Sequence, residues 1–304
     1  MLRIAIQILV RDNRKYLVDY FFPYFSELER KLKKDIRFSY FFLENDSCDE
    51  SHKVCIKFLR GRSGLVKTSS TAKGVHIKSA SLSPEAAAKM HLLADLRTQL
   101  NDLVPHDDFD YVFQTDSDIM FESPVVEQLL EILETDSSIG QATANGVIRE
   151  NIWKGLYYDT WACEFLNGGT PHGHSRSIDT YPKGCVSKLI KSVYGFMLPT
   201  NHPCLVKVNS AFGGASMFRA ELLKNFEYSA AGSFQFVNVG KVRNRTATCE
   251  HKSLCRHVRE KGYDVVIDPA SLVTWTREPV GTARKYAFYK ENRVARPVQV
   301  VGKI

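Results

Sequence analysis

Three apolar runs that end abruptly in polar clusters constrain this chain more than any other feature. RIAIQILV (3–10) runs into Arg11-Asp12-Asn13, IRFSYFFLEN (36–45) into Asp46 to Asp49, and DYVFQT (110–115) into Asp116-Ser117-Asp118. Their β-branched and aromatic content reads as buried strand. Helical stretches alternate with them. One spans Lys15 to Lys34, where Pro23 kinks or splits the helix. A second runs from about Glu50 to Gly61. A third opens at Ser83-Pro84-Glu85, with an N-cap, a proline at the first helical position and an early acid. The Gly/Ser/Lys-rich stretch 61–83 reads as loop or weak strand. Strands alternating with helices predict an α/β fold, with a Rossmann-like, mostly parallel sheet flanked by helices. Ligands in such folds gather at the carboxyl ends of the strands, so one site could hold all three polar clusters.

Beyond residue 150 the pattern loosens into Gly/His/Tyr-rich loops over 155–204. It returns as a strand over Leu205 to Asn209, helices near Ala220 and from Lys252 to Lys261, and the strand YDVVID. With no internal repeat or Pro/Ser linker, a single domain over 1–304 is expected. The longest apolar runs, such as Ile4 to Val10, fall short of the ~20 residues that cross a bilayer, so no transmembrane segment is expected. MLRIAIQILVRDN lacks the pattern of a secretory signal and reads instead as a first strand. Seven cysteines, an odd number with no CxxC, point to the reducing cytoplasm rather than a disulfide framework. The sequons at Asn45 and Asn244 are then accidental.

Charge is unevenly spread. Residues 1–150 carry 19 Lys/Arg against 23 Asp/Glu, whereas residues 151–304 carry 22 against 11. Between Asp95 and Asp136 there are twelve carboxylates and one base, Arg97. Either the surface is simply uneven, or an acidic metal site faces a basic surface that meets phosphate or another anion.

Asp116 and Asp118 are the sharpest chemical feature. Residues i and i+2 of an extended segment point the same way, so both carboxylates can grip one hard cation, Mn²⁺ or Mg²⁺. The plain alternative is a solvated turn or helix cap. Glu44 to Ser51 (ENDSCDES) offers acceptors for base and ribose at a strand-to-helix turn; equally, Ser47 and Glu50 form a capping box. In NSAFGGASMFR (209–219), a strand, a glycine pair and a helix start are expected, and Gly213-Gly214 either lets backbone approach a substrate or makes a plain turn. Asp159, beside Tyr157, Tyr158 and Trp161, suits a sugar ring or an aromatic core segment. Glu250 is an acid near the acceptor or a helix N-terminal acid. Zinc at Cys249, His251, Cys255 and His257 fits tetrahedral ligand spacing poorly, and His172 and His174 lie in a flexible-looking loop. Lys252, Arg256, Arg259, Arg243 and Arg245 form a basic patch, part of it for diphosphate or surface attraction.

The order strand, ENDS-x-D, about 65 residues, strand, DSD resembles the nucleotide-sugar half of GT-A fold glycosyltransferases. ENDS, with YYDTW (157–161), NSAFGG (209–214) and Cys249-Glu250-His251, resembles the fungal capsule-associated α-mannosyltransferases and related glycosyltransferases of large algal viruses. The likeness spans about residues 3–275. It implies a GT-A domain with a nucleotide-sugar half (1–120), an acceptor and catalytic half (121–283) and a basic tail (284–304). It also implies a GDP- or UDP-sugar donor, GDP-mannose with retaining transfer in the capsule-type enzymes, and a glycan or glycoprotein acceptor. By the same resemblance Asn45 or Asp46 contacts the base, Arg11 and Asp12 lie beside the nucleotide, and Asp116 reaches ribose or metal. Asp118 binds the metal, with His251 as a further ligand; Glu250 and Asp159 act in catalysis; Gly213, Gly214 and Trp161 face the acceptor. Two rivals stand beside it. A nucleotidyltransferase or phosphohydrolase would use the same acids, but RDNRKYL lacks the usual glycine-rich loop. A nucleic-acid or anionic-surface module, including peripheral membrane contact, would use the basic half but leave the acidic segment unexplained; with no RNP1-like signature, no nucleic-acid partner is expected.

Overall fold

The structure, a computed structural model, describes residues 1–70, 84–151, 154–157, 159, 161–166, 190–192, 195–197, 204–238, 241–275 and 299–301. The chain begins with β1 (Leu2–Val10), α1 (Arg14–Tyr16), a π-helical turn (Leu17–Phe21), α2 (Phe22–Leu32) and β2 (Ile36–Asn45). Next come α3 (Ser51–Leu59), β3 (Ser63–Ser69), α4 (Pro84–Asn101), β4 (Tyr111–Asp116), β5 (Ile119–Phe121), α5 (Val125–Thr135) and β6 (Ile139–Asn151). Short strands follow as β7 (Lys154–Tyr157), β8 (Glu164–Phe165), β9 (Ile190–Ser192) and β10 (Gly195–Met197). Then come β11 (Cys204–Ser210), β12 (Ala215–Arg219), β13 (Ala231–Asn238), β14 (Lys241–Ala247), α6 (His251–Glu260), β15 (Asp264–Trp275) and β16 (Gln299–Val301).

One sheet runs β16-β11-β15-β6-β12-β4-β1-β2-β3, with β5, β7 and β8 paired beside it. Five of its eight neighbouring pairs are parallel: β16/β11, β15/β6, β4/β1, β1/β2 and β2/β3. It is thus a mixed, mostly parallel α/β sheet, as the alternation of runs predicts. The period of two in β1 divides its side chains between two cores. Ile4, Ile6, Ile8 and Val10 meet α2, α3 and α5 through Phe25, Phe58 and Leu129. On the other face Ala5, Phe41, Leu43 and Val112 meet α4 and α6 through Leu96, Leu100, Leu254 and Val258. Each such buried Leu, Val or Phe contributes about 1.5–3 kcal/mol, so both faces of the strands that carry the polar clusters are anchored.

Pro23 does split its helix: it lies at the first positions of α2, after the π-helical turn. A proline cannot donate to the helical ladder, and the widened turn before it absorbs the missing bond. The expected weak strand within 61–83 is β3, on the sheet edge. Two expectations fail. The helix start in 209–219 is strand β12, because ASMFR pairs with both β4 and β6, and the helix near Ala220 is a single 3-10 turn (Ala220–Leu222). The capping box is also absent. Glu50, at φ 65°, precedes α3 with no side-chain cap, and its carboxylate pairs with Lys53 at 2.7 Å instead. Ser47 donates its N–H to Glu44 Oε1 at 2.5 Å, and its hydroxyl accepts from the Asp12 N–H at 3.0 Å.

Candidate active site

The carboxyl ends of β1, β2 and β4 lie side by side, and their loops are joined to one another. Asp12 and Asp46 both take left-handed backbone, φ 51° and 53°, an uncommon conformation that aspartate tolerates better than most residues. The Cys48 N–H donates to Asp12 Oδ1 at 2.6 Å, the Asn13 N–H to Ser51 Oγ at 3.0 Å, and the Arg14 N–H to Asp49 Oδ2 at 2.7 Å. Asn13 Nδ2 reaches Ser117 Oγ at 2.7 Å, and Ser117 Oγ donates to the Leu9 carbonyl at 2.9 Å. All three sequence clusters therefore form one lattice of hydrogen bonds. Within it, Arg11 lies 4.0 Å from Asp12. Asn45 is buried and donates to the Ser69 carbonyl at 3.1 Å.

Asp116 and Asp118 flank buried Ser117. The Asp116 N–H donates to the Gly214 carbonyl at 2.9 Å, and its Oδ1 accepts from Arg97 at 2.7 Å. Asp118 Oδ2 accepts the indole N–H of Trp275 at 3.0 Å. Loss of hydration, then the charge of Asp116, pushes the Asp118 carboxyl up to about 6. Asp159 receives the N–H of Gly213 at 3.1 Å and that of Ala162 at 3.2 Å. Loss of hydration and then Asp116 push it up to about 7. Glu250 is buried, 4.0 Å from Arg97 and 3.6 Å from His251 Nε2. Its burial raises its carboxyl, against the opposing pull of Arg97. Arg97 itself is 4% exposed. Burial drags its guanidinium down, but Asp116 and Glu250 outweigh burial and keep it above its ordinary value.

Asp116 and Glu250 thus flank one fixed cation, with Asp118 and Asp159 close enough to feel the charge of Asp116. Three of these carboxyls, Asp118, Asp159 and Glu250, resist ionisation, which is the electrostatic condition a hard divalent ion relieves. Among the described residues no three His, Cys, Asp or Glu form a metal-holding set, so His251 does not complete a set with Asp116 and Asp118, and no zinc cluster forms. His251 stacks flat on Phe212, centroids 3.7 Å apart and planes 9° apart, and burial holds it well below its usual basicity. An oxygen pair lacking a third protein ligand suits Mg²⁺ or Mn²⁺, which keep waters and take substrate phosphates.

The glycine pair serves its own chain. Gly213 and Gly214 have φ 62° and 83°, and a Cβ on Gly213 would lie 2.1 Å from the Ala144 carbonyl in β6. This close approach delivers the Gly214 carbonyl to Asp116 and the Gly213 N–H to Asp159. Gly213→Ala is expected to cost about 3 kcal/mol or more, combining left-handed strain with overpacking; urea denaturation measures it. Trp161 is half-buried against the core that α4 and α6 share. Lys252 bonds Glu164 at 3.1 Å, while Arg256 and Arg259 are exposed on α6. Tyr158, Thr160, His172, His174 and most of the tail from 284 lie outside the described residues, as do the side chains of Tyr157, Arg243 and Arg245.

Sequence reasoning missed Arg97 and Trp275 as site residues. The signal for Arg97 was present, a lone base among twelve carboxylates; Trp275 carries none.

No family model and no curated protein matches the chain. Similar solved structures include S. aureus TarS 1–349, at 12% identity and a TM-score of 0.45 over 91% of this chain and 60% of that one. The same protein in complex with UDP-GlcNAc gives 11%, 0.45, 92% and 60%. Mannosyltransferase PcManGT from Pyrobaculum calidifontis, in complex with GDP-Man and Mn²⁺, gives 10% identity, 0.43, 94% and 59%. The chain therefore spans about 60% of the length of these structures. Among the described residues no helix is long and apolar enough to cross a membrane.

Proposed function

We propose that this chain is a metal-dependent glycosyltransferase of the GT-A type, moving a sugar from a GDP- or UDP-sugar to a glycan hydroxyl. One observation carries the reading: Asp116 and Asp118 stand at the carboxyl end of β4, with two further carboxylates and two hydrogen-bonded βα loops around them. Asp118 and Asp116 would hold Mn²⁺ or Mg²⁺, whose chemistry is to neutralise charge growing on a nucleoside diphosphate leaving group. The loops at Arg11 to Arg14 and Glu44 to Ser51 hold the nucleoside, with Asp46 and Asp12 as acceptors beside it. Glu250, with its raised carboxyl, takes the proton of the acceptor hydroxyl. Arg97, between Asp116 and Glu250, keeps both aligned. Asp159 and Trp161 offer a carboxylate and an aromatic face to a sugar ring, and GDP-mannose is the donor that the ENDS wording favours.

Slow hydrolysis of UDP- and GDP-sugars with Mn²⁺ tests this; a chain that hydrolyses neither and is not stabilised by either is not such an enzyme. Glu250→Gln is expected to lower transfer at least ~10²-fold, the scale of a lost general base, with donor binding by calorimetry retained. Loss of donor binding instead would reassign Glu250 to the donor side.

The raised carboxyls set a pH dependence. Asp118 and Asp159 hold protons in the folded chain that the unfolded chain has lost, between the ordinary 3.8 and about 6 to 7. Stability of the metal-free protein is therefore full below that window and falls as pH rises through it. Melting temperature is expected to drop from pH 4 to 8, and excess Mn²⁺ to restore it most at the high end. A flat profile would contradict the assignment of these two acids.

A further inference from the structure

We infer that a second binding site, for an anionic glycan, lies at the opposite end of the parallel strands from the acidic site. A groove of about 900 Å³ opens there, beneath the amino-terminal ends of β1, β2 and β3. Arg3, Arg37 and Arg60 line it and are exposed. Among the described residues none of their guanidinium groups has an ion-pair partner. Arg3 and Arg37 are register partners on the parallel strands β1 and β2. Registered neighbours lie about 4.8 Å apart and project to the same face, and like charges so placed destabilise a sheet. The nearby carboxylate of Asp110 is engaged by the Arg3 backbone N–H at 2.7 Å. Two other acids line the groove. Glu29 is held by Arg62 at 3.0 Å and by the Tyr40 hydroxyl at 2.8 Å, which leaves Asp108 and Asp110 against the three arginines. A registered pair of like cations, in a groove where these arginines outnumber the carboxylates beside them, is what an anion would stabilise.

The remaining lining favours sugar over a bare phosphate. Half-buried Phe109 borders Arg3 and Arg37 on their face of the sheet, held edge-on by buried Phe41 at 5.8 Å, while Phe38 lines the groove from the opposite face. Aromatic carbon surface beside guanidinium forks suits a ring that carries a carboxylate, sulfate or phosphate. A recess also disfavours a flat bilayer, which cannot reach into it. Eight residue steps from Arg37 to Asn45 along β2 separate the groove from the acidic site by roughly 26 Å. Resting on the transferase reading, this names the acceptor class as an acidic glycan, held far from the reacting end.

Fluorescence anisotropy with a labelled oligogalacturonate of about ten residues tests the site, alongside a neutral dextran of equal length, tripolyphosphate and anionic phospholipid vesicles. The expected result is binding of the oligogalacturonate alone that weakens with salt and falls at least tenfold in the double variant Arg3→Gln/Arg37→Gln. Donor hydrolysis of that variant is expected to match the wild type, and its melting temperature to equal or exceed it, because the like-charge pair is gone. The inference is overturned by no oligogalacturonate binding, by binding indifferent to the double substitution, by equal binding of dextran, or by preference for tripolyphosphate or vesicles. Oligogalacturonate binding with neither hydrolysis of, nor stabilisation by, a UDP- or GDP-sugar would sink the transferase reading and leave the groove standing.

Discussion

Asp118→Ala is expected to lower donor hydrolysis at least ~10³-fold, since the cation contributes several kcal/mol of charge stabilisation and each 1.36 kcal/mol is tenfold. The same change leaves the fold intact. Asp118 is a carboxyl that burial and Asp116 hold up at about 6, so removing it relieves repulsion in the metal-free protein, against one lost bond from the Trp275 indole. Kinetics with titrated Mn²⁺, paired with a melting curve at pH 8, read both effects. Full activity in the variant at the same Mn²⁺ requirement as the wild type would end the case for Asp118 as a metal ligand.

Arg97→Met is expected to show the reverse pattern, a large loss of stability in the metal-free protein. Removing one partner of a buried ion pair leaves its counter-charges uncompensated and costs about 3–5 kcal/mol. Here Asp116 at 2.7 Å and Glu250 at 4.0 Å both lose their cation. Arg97→Lys should recover only part, because an ammonium cannot reproduce a guanidinium fork. Chemical denaturation at pH 7 checks the size. Lowering the pH toward 5 should narrow the gap, because protonating the raised Glu250 carboxyl removes part of the repulsion. A variant as stable as the wild type would show that the guanidinium is dispensable.

The elements legible in the sequence are those whose own residues decide them. β1, β2 and β4 are continuous apolar runs, α4 opens with its proline, and Asp116 to Asp118 follow directly from the end of a strand. What was not legible was decided by distant partners. ASMFRAELL is rich in helix formers, yet pairing of Ala215–Arg219 with β4 and β6 overrides that preference. Ser47 and Glu50 match a capping box by spacing, but Asp12, 35 residues earlier, claims the Ser47 hydroxyl. His251 reads as a ligand until Phe212 is seen to cover its ring. Gly213-Gly214 is recognisable as a place of close approach, but what approaches is the chain's own β6.

The strand that carries the acids is completed late. β4 lies between β1 and β12, and Asp118 finds Trp275 157 residues further on. During synthesis the nascent chain therefore leaves the ribosome with one edge of β4 open until β12 has emerged, and with Asp118 without its Trp275 bond until the last of β15 has followed. Pairings so far apart in sequence form slowly. A ribosome-stalled fragment ending before residue 215 should therefore bind neither Mn²⁺ nor nucleotide, and its exposed edge makes it a natural client for chaperones.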